Sequence, residues 1–293
     1  VYRLSILTWM SLLYGVMCLF VPAMAQQSFL YPRPPIEADT RSAYALKMIR
    51  LALAKTAQDF GAADVHYSPH PLERSEAEQA LTTGAVDLYM LPGDNTYDER
   101  YIHIPIPIDR GLLGTRVGFI HHEDRDLFNT VRTLEDLKAH SICSGTHWQI
   151  SKILDFNDLT VHHEARYENL FKALNARDCT YFTRGIAETL PELGHWSQQY
   201  PDLALEPYVY FKTPLAFYLY TSTNNRTLAR RLEIGLWRAF EDGSFQRAFM
   251  EEFDVILRTI RLSTRQSLTL KSPKPHKSAP SRYSSFWYKN SID

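Results

Sequence analysis

Apolar residues recur along this chain in two alternating rhythms. Short runs rich in aromatic and β-branched residues, at 29–31, 65–67 and 86–91, read as strands. Between the first two the period changes. Over 41–59, Tyr44, Met48, Leu51 and Ala52 share one helical face, with Asp39 or Thr40 as cap. Ser75 and Glu78 have capping-box spacing and predict a second helix that stops at Gly84. Pro92, Gly93, Asp94 and Asn95 predict a turn. This order predicts parallel strands with helices on their faces.

The segment 102–108 alternates with proline and reads as an extended connector, because proline cannot donate to a central ladder. A strand is predicted at 112–120, and then the pattern restarts. A short helix at 134–137 precedes strands at 141–144, 161–163 and 179–182. Helices run through Trp148, Ile150 and Leu154, over 167–175, and from Ile186. The chain thus holds two βα units of similar design, and a strand at 216–220 with helices at 225–240 and 244–253 completes it. The tail, 264–293, is rich in Ser, Lys and Pro, which predicts disorder. Its end carries Tyr283, Phe286, Trp287 and Tyr288, and such a cluster favours docking on the body.

Composition narrows the class. With 293 residues, 45% of them hydrophobic and 22% charged, the chain is long enough to bury a core without metal or disulfide support. Lys plus Arg is 32 and Asp plus Glu is 33, which excludes a general nucleic-acid binder. An aromatic content of 13% suits an aromatic-lined cleft or a heavy core.

Residues 1–25 read as a secretory signal peptide. Arg3 supplies the positive region, 12–21 the apolar run, and Ala23, Met24 and Ala25 the cleavage pattern. The run is short for an uncleaved anchor. Cys18 is not a lipidation site, since Met17 stands where a small residue is required. No later stretch is apolar enough to cross a bilayer, so the exported chain has no membrane span after cleavage. Export without a lipid implies a two-membrane envelope and a periplasmic location. Cys143 and Cys179 remain, and two readings stay open: a disulfide in an oxidising compartment, or two buried strand thiols.

Several motifs, in order, resemble bacterial extracellular solute-binding proteins of family 3, the amino-acid-type substrate-binding proteins of ABC transporters. Leu81, Gly84 and Asp87 match an L-x-x-G-x-x-D step, and Thr96 to Arg100 a T-x-x-R segment with one extra residue. Leu134 to Leu137 followed by Gly145-Thr146 matches the entry into a second lobe, and Asp242-Gly243-Ser244 a late step. The resemblance implies an α/β, two-lobed type II periplasmic-binding fold. Lobe 1 is expected at 29–106 plus 215–293 and lobe 2 at 107–214, joined by a two-strand hinge that closes on a ligand.

It also implies site residues. Arg100, with Thr96, matches the clamp on a ligand carboxylate; the competing reading is a surface arginine paired with Asp98 or Glu99. Gly145 and Thr146 match an anion site in lobe 2, or form an ordinary helix cap. Where the family carries an amine-binding aspartate, this chain has Arg184. Arg100 and Arg184 together favour an anionic solute; alternatively Arg184 pairs with a carboxylate such as Glu188. Tyr31 and Arg33, after the first strand, and Trp148 are further candidates.

Catalytic motifs are lacking. His-Glu-x-x-His and Gly-x-Ser-x-Gly do not occur. His121-His122 and His162-His163 read as neighbours on strands, whose side chains face opposite ways and chelate poorly. Cys143 and His147 are not placed in contact by their spacing. The expected protein is a monomeric, cofactor-free binding protein, not an enzyme. It captures a small polar, anionic or amino-acid-like solute for an ABC permease. The alternative is an interaction or sensory protein with an altered cleft and an envelope signalling partner.

Overall fold

The structure is a computed structural model, and it describes residues 26–35, 40–273 and 281–288. The leader expected at 1–25, with Cys18, lies outside them. Among the described residues no helix is long and apolar enough to cross a membrane.

Lobe 1 opens with β1 (Gln27–Arg33), α1 (Thr40–Lys55), α2 (Ala57–Phe60), β2 (Ala63–Pro71), α3 (Arg74–Thr83), β3 (Leu88–Pro92), α4 (Asn95–Arg100) and β4 (Ile102–Ile104). The periodic face of α1 is buried as expected, with Tyr44, Met48, Ile49 and Ala52 nearly inaccessible. The single helix expected over 41–59 is split at Thr56. Its buried hydroxyl donates back to the Ala52 carbonyl at 2.9 Å and accepts from Arg231 Nε at 3.0 Å. The capping box sits two residues earlier than predicted: Glu73 is the cap, and its N–H donates to Glu76 at 2.8 Å.

Lobe 2 follows with β5 (Thr115–His121), α5 (Leu134–Leu137), β6 (Ser141–Gly145), α6 (Gln149–Phe156), β7 (Thr160–Glu164), α7 (Tyr167–Ala176), β8 (Tyr181–Gly185), α8 (Ile186–Trp196), β9 (Leu203–Leu205) and β10 (Val209–Lys212). The chain returns through β11 (Phe217–Thr221), α9 (Arg226–Glu241) and α10 (Ser244–Ile260), then forms β12 (Gln266–Thr269).

Strand pairing departs from the all-parallel expectation in lobe 1. β1 and β2 are parallel, but β11 inserts between β3 and β4, antiparallel to both. A returning strand enters from the opposite end, so its direction is reversed. β1 and β3 are joined instead by Asp87, whose carboxylate accepts the Leu30 N–H at 2.8 Å while its own N–H donates to the Leu30 carbonyl. The proline-rich connector forms only the short edge strand β4. The lobe 2 sheet has the order β12-β10-β5-β8-β6-β7, with β9 on β5. Cys143 on β6 and Cys179 before β8 are disulfide-bonded, with Cα atoms 5.6 Å apart. They lie in an apolar cluster with Phe119, Leu170, Phe171 and Phe182.

The two segments between the lobes touch each other. A Cβ on Gly114 would collide with the Thr213 carbonyl oxygen, so the approach needs glycine. Asp109 is buried in this hinge. Its carboxylate accepts the N–H groups of Gly111 at 3.1 Å, Leu113 at 2.8 Å and Phe217 at 3.0 Å, so one side chain holds both segments.

The tail corrects the assignment of all of 215–293 to lobe 1. β12 pairs in parallel with β10, completing the edge of the lobe 2 sheet. The chain then comes back: Tyr283 and Phe286 are buried in the lobe 1 core, against Trp237, Phe240 and Phe245. The Tyr288 N–H donates to the Arg110 carbonyl at 2.8 Å, and Arg110 Nε to the Phe286 carbonyl at 3.0 Å. The aromatic end therefore rests on the hinge.

Candidate functional site

The cleft between the lobes is bounded by α4 and the start of α1 on one side, and by the starts of α6 and α8 on the other. Asp94 caps α4. Its Oδ1 accepts from Thr96 N at 2.8 Å and from Thr96 Oγ1 at 2.7 Å. Its Oδ2 accepts from the Gln149 side-chain amide at the start of α6, and Lys152 Nζ lies 3.9 Å away. This is a direct contact between the lobes.

Arg100 is on the last turn of the same helix, but it pairs within lobe 1. Its guanidinium lies over the Tyr101 ring at 5.0 Å, and Nη1 is 3.8 Å from Glu78 Oε2. Nη2 donates to Thr82 Oγ1 at 3.5 Å. The partner is thus Glu78 on α3, not Asp98 or Glu99. Glu78 also accepts from the Tyr97 hydroxyl at 2.9 Å, which fixes it in place. With one residue more than the T-x-x-R spacing, Arg100 is turned about 100° further round the helix axis.

Gly145 ends β6, and a Cβ there would collide with the Trp148 indole. The Thr146 N–H donates to the Glu164 carbonyl at 2.9 Å, so it is committed to the protein. α6 begins only at Gln149. Trp148 is half-buried and stacks on Phe182 at 6.2 Å, with the Arg184 guanidinium 4.8 Å from its centroid.

Arg184 is buried and neutralised inside lobe 2. Nε donates to Glu192 Oε2 at 2.7 Å, and Nη2 lies 2.9 Å from Glu188 Oε1 and also donates to Glu192. The ion pairs hold the guanidinium charged, above its ordinary pKa despite the burial. Burial alone would raise Glu188, but Arg184, Arg41 and Arg116 hold its carboxyl below the ordinary value. Glu192 shares Arg184, and there burial wins and raises it. Arg41 Nη1 reaches Glu188 Oε1 at 3.0 Å from the first turn of α1. That is a second direct contact between the lobes. Arg41, Tyr44, Met90, Glu188, Phe217 and Glu252 line a small pocket beside it.

Tyr31 and Arg33 are not brought to this pocket. Tyr31 is fully buried, edge-on to Tyr67 at 6.3 Å and Tyr89 at 5.7 Å. Arg33 Nε donates to the Ser68 carbonyl at 3.0 Å. The structure thus groups Trp148 with Arg184 and Thr96 with Asp94, and leaves Arg100, Tyr31 and Arg33 elsewhere. No sequence motif marks Arg41, Asp94, Gln149 or Glu192. The available signal was the spacing of Glu188 and Glu192, which puts two acids on one face of the helix that follows Arg184.

No family model matches the sequence, and no curated protein matches it. Among solved structures the chain is similar to a periplasmic binding protein of Salmonella typhimurium with high arginine specificity, at 13% identity and a TM-score of 0.53. That match covers 78% of this chain and 99% of the other. An amino acid ABC transporter substrate-binding protein of Streptococcus pneumoniae, bound to L-arginine, matches at 12% identity and a TM-score of 0.52, over 78% and 94% of the two chains. A histidine kinase sensor domain similar to periplasmic binding proteins matches at 15% and 0.51, over 78% and 96%. The chain therefore has the α/β type II periplasmic-binding fold, the fold of amino-acid ABC transporter substrate-binding proteins.

Proposed function

We propose that this protein is a periplasmic solute-binding protein, and that its solute is a small polar molecule other than a free α-amino acid. The observation that carries this reading is the contrast between two sets of polar groups. The positions matching the amino-acid anchors are committed to the protein itself: Arg100 to Glu78, the Thr146 N–H to Glu164, and Arg184 to Glu188 and Glu192. An amino-acid zwitterion would have to displace these partners, and at Arg184, whose pairs with Glu188 and Glu192 are buried, that costs several kcal/mol. By contrast, Asp94 with Gln149 and Arg41 with Glu188 reach across the cleft from opposite lobes. A solute bound there contacts both lobes, which is the condition for closure by binding. The two arginines that favoured an anionic solute are both neutralised, so the reading names no charge.

The test is a thermal-shift panel of amino acids, dicarboxylates, sugar acids, neutral sugars and peptidoglycan fragments. At a hundredfold excess over its dissociation constant a ligand stabilises the fold by about 2.7 kcal/mol. A shift with one non-amino-acid class supports the reading, and a shift with α-amino acids refutes its second half.

A second reading is favoured by the docked tail. Phe286 and Tyr288 hold the hinge residue Arg110, as an element that couples hinge angle to an outside partner would. In that reading the protein is a sensory or interaction module for an envelope partner. A flat panel with a cooperative melt in every well favours it.

A further inference from the structure

We propose that lobe 2 carries a zinc-binding site formed by His121, His122 and Asp202. Strand alternation argues against a chelate from adjacent histidines, but the strand stops too soon for that to apply. β5 ends at His121, and His122 opens a single 3₁₀ turn, His122–Asp124. The two imidazoles consequently lie on the same side, with centroids 5.1 Å apart and planes inclined by 33°. Asp202 is pinned beside them, because its carbonyl accepts the His122 N–H at 2.8 Å.

The donor atoms converge. His122 Nδ1 is 3.1 Å from Asp202 Oδ1, and His121 Nε2 is 3.6 Å from Asp202 Oδ2. One donor atom from each of the three residues lies within 4.8 Å of the other two. Tetrahedral zinc, with bonds of about 2.0–2.1 Å, wants donors about 3.4 Å apart. The half-exposed His122 and Asp202 side chains can supply that contraction, and a fourth position remains for water. Two imidazoles and a carboxylate suit zinc better than magnesium or calcium, which prefer all-oxygen sites.

The surroundings define a competitor. Arg177 Nη2 donates to His121 Nδ1 at 3.1 Å and pairs with Glu123, while its Nε lies 3.8 Å from Asp124. Zinc on Nε2 places the imidazole proton on Nδ1, where the guanidinium and, more weakly at 3.4 Å, the Glu123 backbone N–H oppose it. Arg177 must then turn onto Asp124. Glu123 Oε2, 4.0 Å from Nδ1, becomes the acceptor that orients the ring. Arg177 is therefore a brake on binding.

Calorimetric titration of the purified protein, free of any polyhistidine tag, with zinc chloride tests this. One saturable equivalent is expected, with a rise in melting temperature that magnesium chloride does not give. His122→Ala and Asp202→Asn should each weaken that equivalent at least about tenfold. Arg177→Ala should tighten it, a gain that incidental surface binding would not show. His163→Ala, whose ring pairs separately with Asp155 at 3.3 Å, should leave it unchanged. The absence of a saturable equivalent, or equal binding in the His122 and Asp202 variants, overturns the proposal.

Discussion

The Gln149 amide of lobe 2 donates to the Asp94 carboxylate of lobe 1, and the same carboxylate caps α4 through Thr96. One side chain thus starts a helix in its own lobe and reaches the other. Removing it should loosen both. Asp94→Ala is expected to cost about 1 kcal/mol for the lost cap. It should also raise the radius of gyration in small-angle scattering as the lobes part. A stability loss with an unchanged radius would show that Gln149 adds nothing to closure.

Arg184 and Arg100 should respond in opposite ways to truncation. Arg184→Met leaves Glu188 and Glu192 buried without their shared cation, and a loss of about 3–5 kcal/mol is expected in urea unfolding. Arg100 has a side chain 51% exposed, and its pair with Glu78 spans 3.8 Å. Arg100→Ala should change stability by less than about 1 kcal/mol. Near-neutral behaviour of Arg184→Met would return that residue to the list of ligand anchors.

Asp109 should give the hinge a pH dependence. Burial pushes its carboxyl up to about 6, against backbone N–H donors that pull it down. The folded value lies above the unfolded one. Its contribution to stability is therefore greatest below about pH 4 and is lost as pH rises through about 6. The loss amounts to about 2–3 kcal/mol. In Asp109→Asn the group no longer titrates, so the stability gap between wild type and variant should shift by that amount between pH 4 and 7. A gap independent of pH would place the titration elsewhere.

The Cys143–Cys179 bond closes a loop with a sequence separation of 36. Chain-entropy reasoning assigns such a loop about 3–4 kcal/mol. Reduction, or Cys143→Ser with Cys179→Ser, should lower the midpoint of urea unfolding accordingly. An identical midpoint would mean that the thiols are not bonded in the native protein.

Local periodicity made much of the architecture legible. The buried face of α1, the repeated βα units of lobe 2 and the helices α9 and α10 follow from apolar spacing and turn residues, whereas α2, α4, β9 and β10 had no such signal. Pairing between distant segments does not. Nothing local in 217–221 says that it runs between β3 and β4. Nothing in Gln266–Thr269, within a polar tail, says that it finds the free edge of β10. The candidate site divides the same way. Gly145 and Trp148 lie at a strand-to-helix turn, as their local pattern suggests, but α6 starts only at Gln149, so Trp148 precedes the helix instead of lying in it. The direction of Arg100 depended on one extra residue and on Glu78 in another helix. The charge state of Arg184 depended on Glu188 and Glu192, readable as a four-residue spacing. His121 and His122 read as neighbours on a strand, but β5 ends at His121 and the 3₁₀ turn after it removes the alternation.

The residues proposed as amino-acid anchors, Arg100, Thr146 and Arg184, are committed to the protein itself. Calorimetric titration with L-arginine, with L-glutamate in a parallel cell, tests it most directly. The prediction is no saturable heat up to millimolar ligand, where affinity falls below about 4 kcal/mol. A micromolar dissociation constant for either amino acid, abolished by Arg100→Ala, would contradict it.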